Sequence, residues 1–577
     1  MLSVSLVFLY ILLSAYITGY LVLSAVDRIF GGEKGQAEGR KEAGSRVPYS
    51  SAGVCSYVMA GLVTVTVYAQ LFSLFYKVGL LANIILATVC ITAAAVFRRG
   101  LLSVLKVQCC GIHKGKKIFY LFLFLLFAYG TSRGVIHYDT GLYHAQSIRW
   151  IEEYGIVKGL GNLHCRLAYN SSSFSLSALY SFSFLGGQSY HCVAGFFAFL
   201  LALVCSRAAD AWKRKRLLLS DIARLMGIYY LLVIFDEMIS PASDYFMVLT
   251  VFYIVIRYLD LVEEGEENWI PYGLLALACV YTVSLKLSAA LIVLLAVKPA
   301  AMLIKEKNGK GIAGFMALGL AVLAPYFVRN VLISGWLVYP LTAIDLFSVD
   351  WKIPEGIAQY DAKEIQVWGR GLRDVARYGE PVRGWIKEWF AGQRALDKLF
   401  IIAGAAAVPV SIAALAAAIV KKLDGQRDLM LAAVTVNFSF LCWLFSAPLI
   451  RYGCVYVWLA APVTFGGLAL WLVRKEGWGS YFWRMISFLL VAAGVYKFFS
   501  FGKEIVAAYT PEYFIYQKEY ENFEMGSYEI EGIKFYYPIE GDRAGYEAFP
   551  SSPAKADIAL RGPGIRDGFQ YKSENRK

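Results

Sequence analysis

The sequence predicts an all-α polytopic membrane protein of about fourteen transmembrane helices, with a small external C-terminal module of α+β or β-rich character. Three observations carry this. Of 577 residues, 58% are hydrophobic and only 17% are charged, against about 25% in soluble domains. Several apolar runs reach about 18 residues or more, enough to cross a hydrocarbon core of about 30 Å. They are continuous rather than alternating, and lipid admits only helices or closed barrels, so the runs are helices. The net charge of +13 lies largely in short loops between the runs, which fits a membrane topology and argues against nucleic acid as a partner.

In order, the spans fall at about 3–26, 51–75, 78–97, 118–132, 188–206, 221–239, 243–259, 269–285, 287–303, 312–328, 397–420, 429–447, 452–473 and 483–500. The basic loops 28–46, 98–117, 207–216, 305–310, 421–427 and 474–484 are assigned to the cytoplasm. The strongest is 98–117, with six Lys or Arg (Arg98, Arg99, Lys106, Lys114, Lys116, Lys117) and no acid. Spans then alternate without conflict. Both termini fall outside the cytoplasm of a bacterial inner or plasma membrane. The first run lacks a basic n-region and is too long for a cleavable signal peptide, so it is read as a span. The ten cysteines form no CxxC pair, which leaves no disulfide framework or zinc motif.

This divides the chain into an added N-terminal transmembrane module (1–117), a core (118–500) with external loops 133–187 and 329–396, and an extracytoplasmic module (501–577). Residues 171–185 are apolar, short and Ser-rich, and are expected to form an interfacial helix. In the tail, residues 526–538 alternate around Glu531-Gly532, a hairpin signal. No internal repeat is seen, which counts against a transporter built from inverted halves.

The chemistry is expected at His137-Tyr138-Asp139-Thr140-Gly141-Leu142-Tyr143-His144, directly after the hydrophobic run 118–130. A carboxylate at the mouth of a membrane helix is costly to desolvate and needs a reason. Four of the five histidines (His137, His144, His164, His191) lie in this neighbourhood. At the same outer level the topology places Arg133, Lys286, Arg329 and Arg451, with the acids Asp236, Glu237 and Asp244. Interfacial Lys and Arg often only snorkel to water. Gathered on one face, they suit an anionic ligand, since guanidinium binds phosphate through two hydrogen bonds and Lys acts as a point charge. A carboxylate among them suits general-base work. The competing reading of Asp139 is an N-cap for the helix that follows. The histidines lack the i, i+4 spacing of a helical zinc pair, so substrate contact is favoured over a metal site, although a divalent metal stays possible. Asn170-Ser171-Ser172 matches a glycosylation sequon and carries no weight.

The order of parts resembles the GT-C superfamily of integral membrane glycosyltransferases, over roughly residues 118–350. There an acidic motif opens the first large external loop, and interfacial helices and an out-to-in span with a basic cytoplasmic end follow. A second carboxylate sits in the next external turn, here Ser240-Pro241-Ala242-Ser243-Asp244. The hairpin ending at Lys286 looks like that family's helix–Lys–helix step. Arg329-Asn330, with Ser334-Gly335 and Tyr339-Pro340 after it, looks like its span-to-loop junction. Departures are a single Asp139 where many members carry an acidic pair, three spans before the motif where one is usual, and an unmatched tail. The chain is also similar, over most of its length, to a poorly characterised bacterial membrane-protein family, through Asp139-Thr140-Gly141-Leu142-Tyr143-His144, residues 162–173 and residues 542–568.

The GT-C resemblance implies transfer of a sugar from a polyprenyl-phosphate lipid to a cell-envelope glycan acceptor. Asp139 would be the general base. Lys286, Arg329 and Arg451 would hold the departing phosphate, and Asp244 would orient sugar or acceptor. His137, Tyr143 and His144 would contact substrate. The donor is a lipid-linked sugar; no other cofactor is implied. The rival readings are a polysaccharide polymerase or ligase using Arg370, Arg373, Arg377, Arg383 and Arg394, a transporter or lipid flippase, and a non-enzymatic envelope scaffold.

Overall fold

The computed structural model describes residues 1–31, 53–475, 479–507 and 509–572. Most of the expected loop 28–46, and residues 476–478 of the loop 474–484, lie outside the described residues. The described chain is mostly helical. Among the described residues nine helices are long and apolar enough to cross a bilayer, ten if one bent pair counts as a single span. Helices occupy the other expected positions too, but some are short. Residues 234–242 leave the helix Leu219–Val233 and form a turn instead, which shortens the expected span 221–239. The protein is thus a polytopic helical membrane protein.

Helix α1 (Leu2–Phe30) crosses α2 (Val54–Ser73) at two glycines. A Cβ on Gly61 would fall 1.7 Å from the Ala15 carbonyl, and one on Gly19 would fall 1.8 Å from the Tyr57 carbonyl. In lipid, apolar side chains give no hydrophobic drive between helices, so small residues that let backbones touch fix the crossing. The basic stretch expected as a loop is instead helical. After α3 (Leu80–Val96) the chain bends by 84° into α4 (Arg98–Cys110). Helix α4 buries Leu101 and Val104 and exposes Arg98, Arg99 and Lys106. Helix α5 (Lys114–Ser132) follows.

Between α5 and the next long helix lie α6 (Ala145–Glu153) and α7 (Ser172–Leu179). Helix α7 corrects the expectation of an interfacial helix: every one of its residues is buried. The serines at its N-terminal end find partners inside, while among the described residues Ser175 and Ser177 have none. Ser284 Oγ donates to Ser172 Oγ at 2.8 Å, and Ser171, its N-cap, donates to the Leu285 carbonyl at 2.8 Å. Helices α8 (Val193–Cys205), α9 (Leu219–Val233) and α10 (Ser243–Glu264) build the centre, and α10 is almost wholly buried. Helix α11 (Trp269–Leu285) ends at an extended Lys286 (φ −159°), after which residues Leu287–Ala296 wind more tightly as 3-10 turns. Then come α12 (Val297–Lys305), α13 (Gly309–Ser334), the surface helices α14 (Glu355–Gly369) and α15 (Val382–Ala391), and the long helices α16 (Ala395–Val420), α17 (Asp424–Ser446), α18 (Ile450–Lys475) and α19 (Gly479–Ala507).

The tail hairpin forms as the alternation predicts. Strands β1 (Met525–Ile530) and β2 (Ile533–Pro538) pair antiparallel, with Ile530 opposite Ile533. Glu531 and Gly532 both take positive φ, 48° and 83°, the two-residue turn whose twist matches the strands. A second antiparallel pair joins β3 (Ile558–Leu560) to β4 (Phe569–Tyr571). This module docks on the loops after α5. Phe569 N donates to the Lys158 carbonyl at 2.9 Å and Gly545 N to the Gly141 carbonyl at 2.8 Å. The Arg149 guanidinium lies 4.8 Å from the Tyr546 ring and 5.0 Å from the Phe549 ring. Lys518 N reaches the Ser132 carbonyl at 2.8 Å, and Ser3 N the Ile515 carbonyl at 3.1 Å. The N-terminus, the module and the loop after α5 therefore share one end of the bundle.

At this joint Glu152 is buried, accepting from Tyr546 Oη at 2.5 Å and from Ser189 Oγ at 3.1 Å. Burial raises its carboxyl to about 7, against the hydrogen bonds and Arg149, which lower it. The folded chain keeps this proton where the unfolded chain, at 4.5, has lost it. Stability is therefore full below 4.5, falls as pH rises to about 7 and levels off above, by at most about 1.4 kcal/mol per pH unit. Thermal unfolding across pH 4–8 checks this. Glu152→Gln should flatten that part of the slope, and equal slopes for both proteins would refute the assignment.

Candidate active site

Asp139 reaches its place through the turn 234–242. Arg133, at the end of α5, pairs with Asp236 at 2.9 Å and lies over Tyr129 and Phe235. Gly134 (φ +120°) lets the backbone sit against the Asp236 carbonyl, where a Cβ would come within 2.1 Å. Val135 N then donates to that carbonyl at 2.7 Å, and His137 N donates to Ser240 Oγ at 2.7 Å. The same turn leads into α10, whose first turn carries Asp244, a favourable place for an acid at a helix N-terminus. One turn thus brings the two carboxylates together.

Asp139 is not a cap. Its side chain makes no capping bond to the π-helical turn Thr140–His144 that follows. His137 does that work instead: its Nδ1 accepts from Asp139 N at 3.1 Å. Single π turns inside helices are frequent at functional sites.

Arg451 joins the carboxylates. Its Nη2 lies 2.7 Å from Asp139 Oδ2, and its Nε lies 3.2 Å from Asp244 Oδ2. Nη1 contacts His137 Nε2. Lys286 Nζ pairs with Asp244 Oδ1 and sits 4.0 Å from the centre of the Tyr452 ring. The order is Asp139, Arg451, Asp244, Lys286. A cation in the first turn of α18 opposes the helix dipole, and the two acids offset that. Two indoles fix the turn before Arg451: Trp389 Nε1 donates to the Pro448 carbonyl and Trp443 Nε1 to the Leu449 carbonyl, both at 2.8 Å. Lys286 is placed by the end of α11, where the dipole favours a cation, and by the Ser171 and Ser284 bonds beneath it.

The Asp139, Arg451 and Lys286 side chains are 21%, 24% and 24% exposed, and Asp244 only 7%. Burial pushes the Asp139 carboxyl up, but Arg451 together with His144, His137 and Arg166 outweighs this and holds it below the usual carboxylate value. Burial and Arg451 push His137 below the usual imidazole value, so the ring is neutral, and the lone pair on its Nδ1 is taken by the Asp139 N–H. Among the described residues Asp139 Oδ1 has no hydrogen-bond partner. The cluster thus offers one carboxylate oxygen that accepts, and two cations that an incoming oxyanion can engage.

Not every expected site residue joins it. Tyr143 and His144 are buried, at 9% and 2% exposure. Tyr143 packs edge-on against Tyr169 at 5.6 Å, and His144 against Phe174 at 5.6 Å. Burial lowers His144 to about 3, and His164 and His191 each to about 4. Arg329 lies apart, donating to Asn170 Oδ1 at 3.0 Å and to Ser73 Oγ. Arg133 and Asp236 form an ion pair with each other, and Glu237 accepts from Tyr245. Of the arginines in loop 329–396, Arg370 donates to the Tyr378 carbonyl and Arg377 pairs with Glu380. Among the described residues no three His, Cys, Asp or Glu are grouped to hold a metal.

Ser240, Tyr452, Trp389 and Trp443 were not legible as site residues, though Ser240 and Tyr452 adjoin motifs that were. Nor was Asp361 on α14, whose Oδ1 accepts from Tyr169 Oη at 2.7 Å and whose carboxyl burial raises.

The fold and the cluster define a polytopic helical membrane protein with a charged, partly open site at one end of the bundle. The chain belongs to the family described as "Domain of unknown function (DUF8201)", whose model matches residues 1–458. The match takes in all four residues of the ion-pair cluster and stops short of the sheet module. No curated protein and no solved structure matches the chain.

Arg451→Met should leave Asp139 and Asp244 without their shared cation and lower stability by about 1–3 kcal/mol. Asp139→Asn in that background should recover part of the loss, because the stranded charge is gone. Thermal unfolding of the four proteins of this cycle measures the coupling; strict additivity would mean that the pair contributes nothing.

Proposed function

We propose that this protein is a GT-C-like membrane glycosyltransferase. It moves a sugar from a polyprenyl-phosphate donor to a cell-envelope acceptor on the extracytoplasmic face. The observation that carries the reading is Arg451 bridging Asp139 and Asp244, with Lys286 on the far side of Asp244. A base and two phosphate-binding cations are the parts such a transfer needs.

The donor phosphate engages Arg451 and Lys286. Drawing Arg451 toward the phosphate loosens its hold on Asp139, whose carboxyl then rises toward the range of a working base. Asp139 takes the acceptor hydroxyl proton as the acceptor oxygen bonds to the anomeric carbon. The bond from that carbon to the phosphate oxygen breaks, and its electron pair leaves with the phosphate. Arg451 and Lys286 stabilise the charge that develops there, where fixed donors have most effect. Asp244 keeps both cations aimed and orients sugar or acceptor. Donor binding and base activation are coupled, because both draw on one guanidinium.

Asp139→Asn should lower turnover by about 10²–10⁴-fold while the chain still folds, since Arg451 keeps Asp244 as its partner. Mass spectrometry of envelope glycans and polyprenyl-phosphate sugars in cells carrying Asp139→Asn should find accumulated donor and a missing sugar. An unchanged glycan profile would overturn the proposal.

A further inference from the structure

Arg329 sits on α13 with 3% of its surface exposed. Its Nε donates to Asn170 Oδ1 and its Nη1 to Ser73 Oγ, both neutral acceptors. No carboxylate pairs with it among the described residues. The buried acids of the neighbouring elements are turned elsewhere: Glu152 on α6 faces Tyr546 and Ser189, and Asp361 on α14 faces Tyr169. A guanidinium taken out of water without a counter-charge is expensive.

A small cavity adjoins it, of about 20 Å³, lined by Arg329, Asn170, Tyr169, Ser147 and Trp150 among others. Two of these residues carry buried polar atoms with no hydrogen-bond partner, Ser147 Oγ and Trp150 Nε1. Ser147 is 7% exposed and Trp150 is 1% exposed. The indole N–H only donates, and the hydroxyl has a proton to give. A fixed positive charge and two residues with spare donors line one small space, and the acceptor they lack is negative. One fixed positive charge calls for one negative charge, and the space exceeds the about 10–15 Å³ that holds a water-sized occupant, so it suits a single halide-sized ion.

We propose that this cavity is a binding site for a small monovalent inorganic anion of the chloride class. The ion neutralises Arg329 and ties α13 to α6 through Trp150 and Ser147. The site is separate from the Asp139 cluster, and the proposal does not depend on the glycosyltransferase reading.

The test is thermal unfolding of the purified full-length chain in detergent, titrated with sodium bromide against sodium gluconate at constant ionic strength. The midpoint should rise saturably with bromide, as for any ligand that binds only the folded state. Ser147→Ala and Trp150→Phe keep the arginine and should each weaken the apparent bromide affinity by about tenfold. Arg329→Met should abolish the response. A structure determined in bromide should place the ion in this cavity by its anomalous signal. A wild-type midpoint indifferent to bromide would overturn the proposal, as would responses unchanged in Ser147→Ala and Trp150→Phe. A saturable response to phosphate instead of bromide would also overturn it, since it would make the site one for oxyanions.

Discussion

The guanidinium of Arg451 is the interaction on which the candidate site depends. It is a cation at a helix N-terminus, where the dipole disfavours it, and it stays because Asp139 and Asp244 approach from two other elements. The constraint is mutual. Two carboxylates this close repel unless a shared cation lies between them, and a half-buried cation needs both. Removing one partner of such a set strands the others, which costs more than the pair itself is worth. The backbone devices nearby serve this geometry. Gly134 lets the loop settle on the Asp236 carbonyl, Ser240 holds His137, and two indoles grip the turn before α18.

Around this set lies a layer of loops and short helices that is packed rather than merely external. Helix α7 is buried along its whole length, and the C-terminal module closes on α6 through Arg149, Trp150 and Glu152. Gly545 N bonds to the Gly141 carbonyl, inside the π turn next to Asp139. The module therefore braces the segment that carries the carboxylate, which gives a physical reason for a sheet module on a bundle of membrane helices. The family model stops before that module.

Much of this was legible in the sequence where the signal is local. Continuous apolar runs gave the helices, and alternation around Glu531-Gly532 gave the hairpin with its turn. Charge at helix ends marked Asp139, Asp244, Lys286 and Arg451, since an ionisable group beside lipid stands out. The same signal also marked Arg133 and Arg329, because it does not distinguish partners. Arg133 turns to Asp236 and Arg329 to Asn170 and Ser73. The Ser-rich stretch looked interfacial because hydroxyls usually seek water. Here Ser172 and Ser171 find another hydroxyl and a broken helix end, contacts between residues more than a hundred positions apart. The stretch 98–117 looked like a loop because its charges suggest one, but Leu101 and Val104 give its helix an inner face.

The sequence by itself determined that this chain lives in a membrane, that its long apolar runs are helical and which few ionisable residues lie at the helix ends. These follow from transfer energies and periodicity, which each segment carries alone. Only the tertiary structure decided which charges meet. Pairing depends on distances of 2.7–3.2 Å between side chains some 200–300 residues apart, and those distances are set by helix crossings and by the turn 234–242. It also decided that Asp139 is a partner of Arg451 rather than a helix cap. His137 already accepts from the backbone N–H of Asp139, which leaves the carboxylate free to face another element.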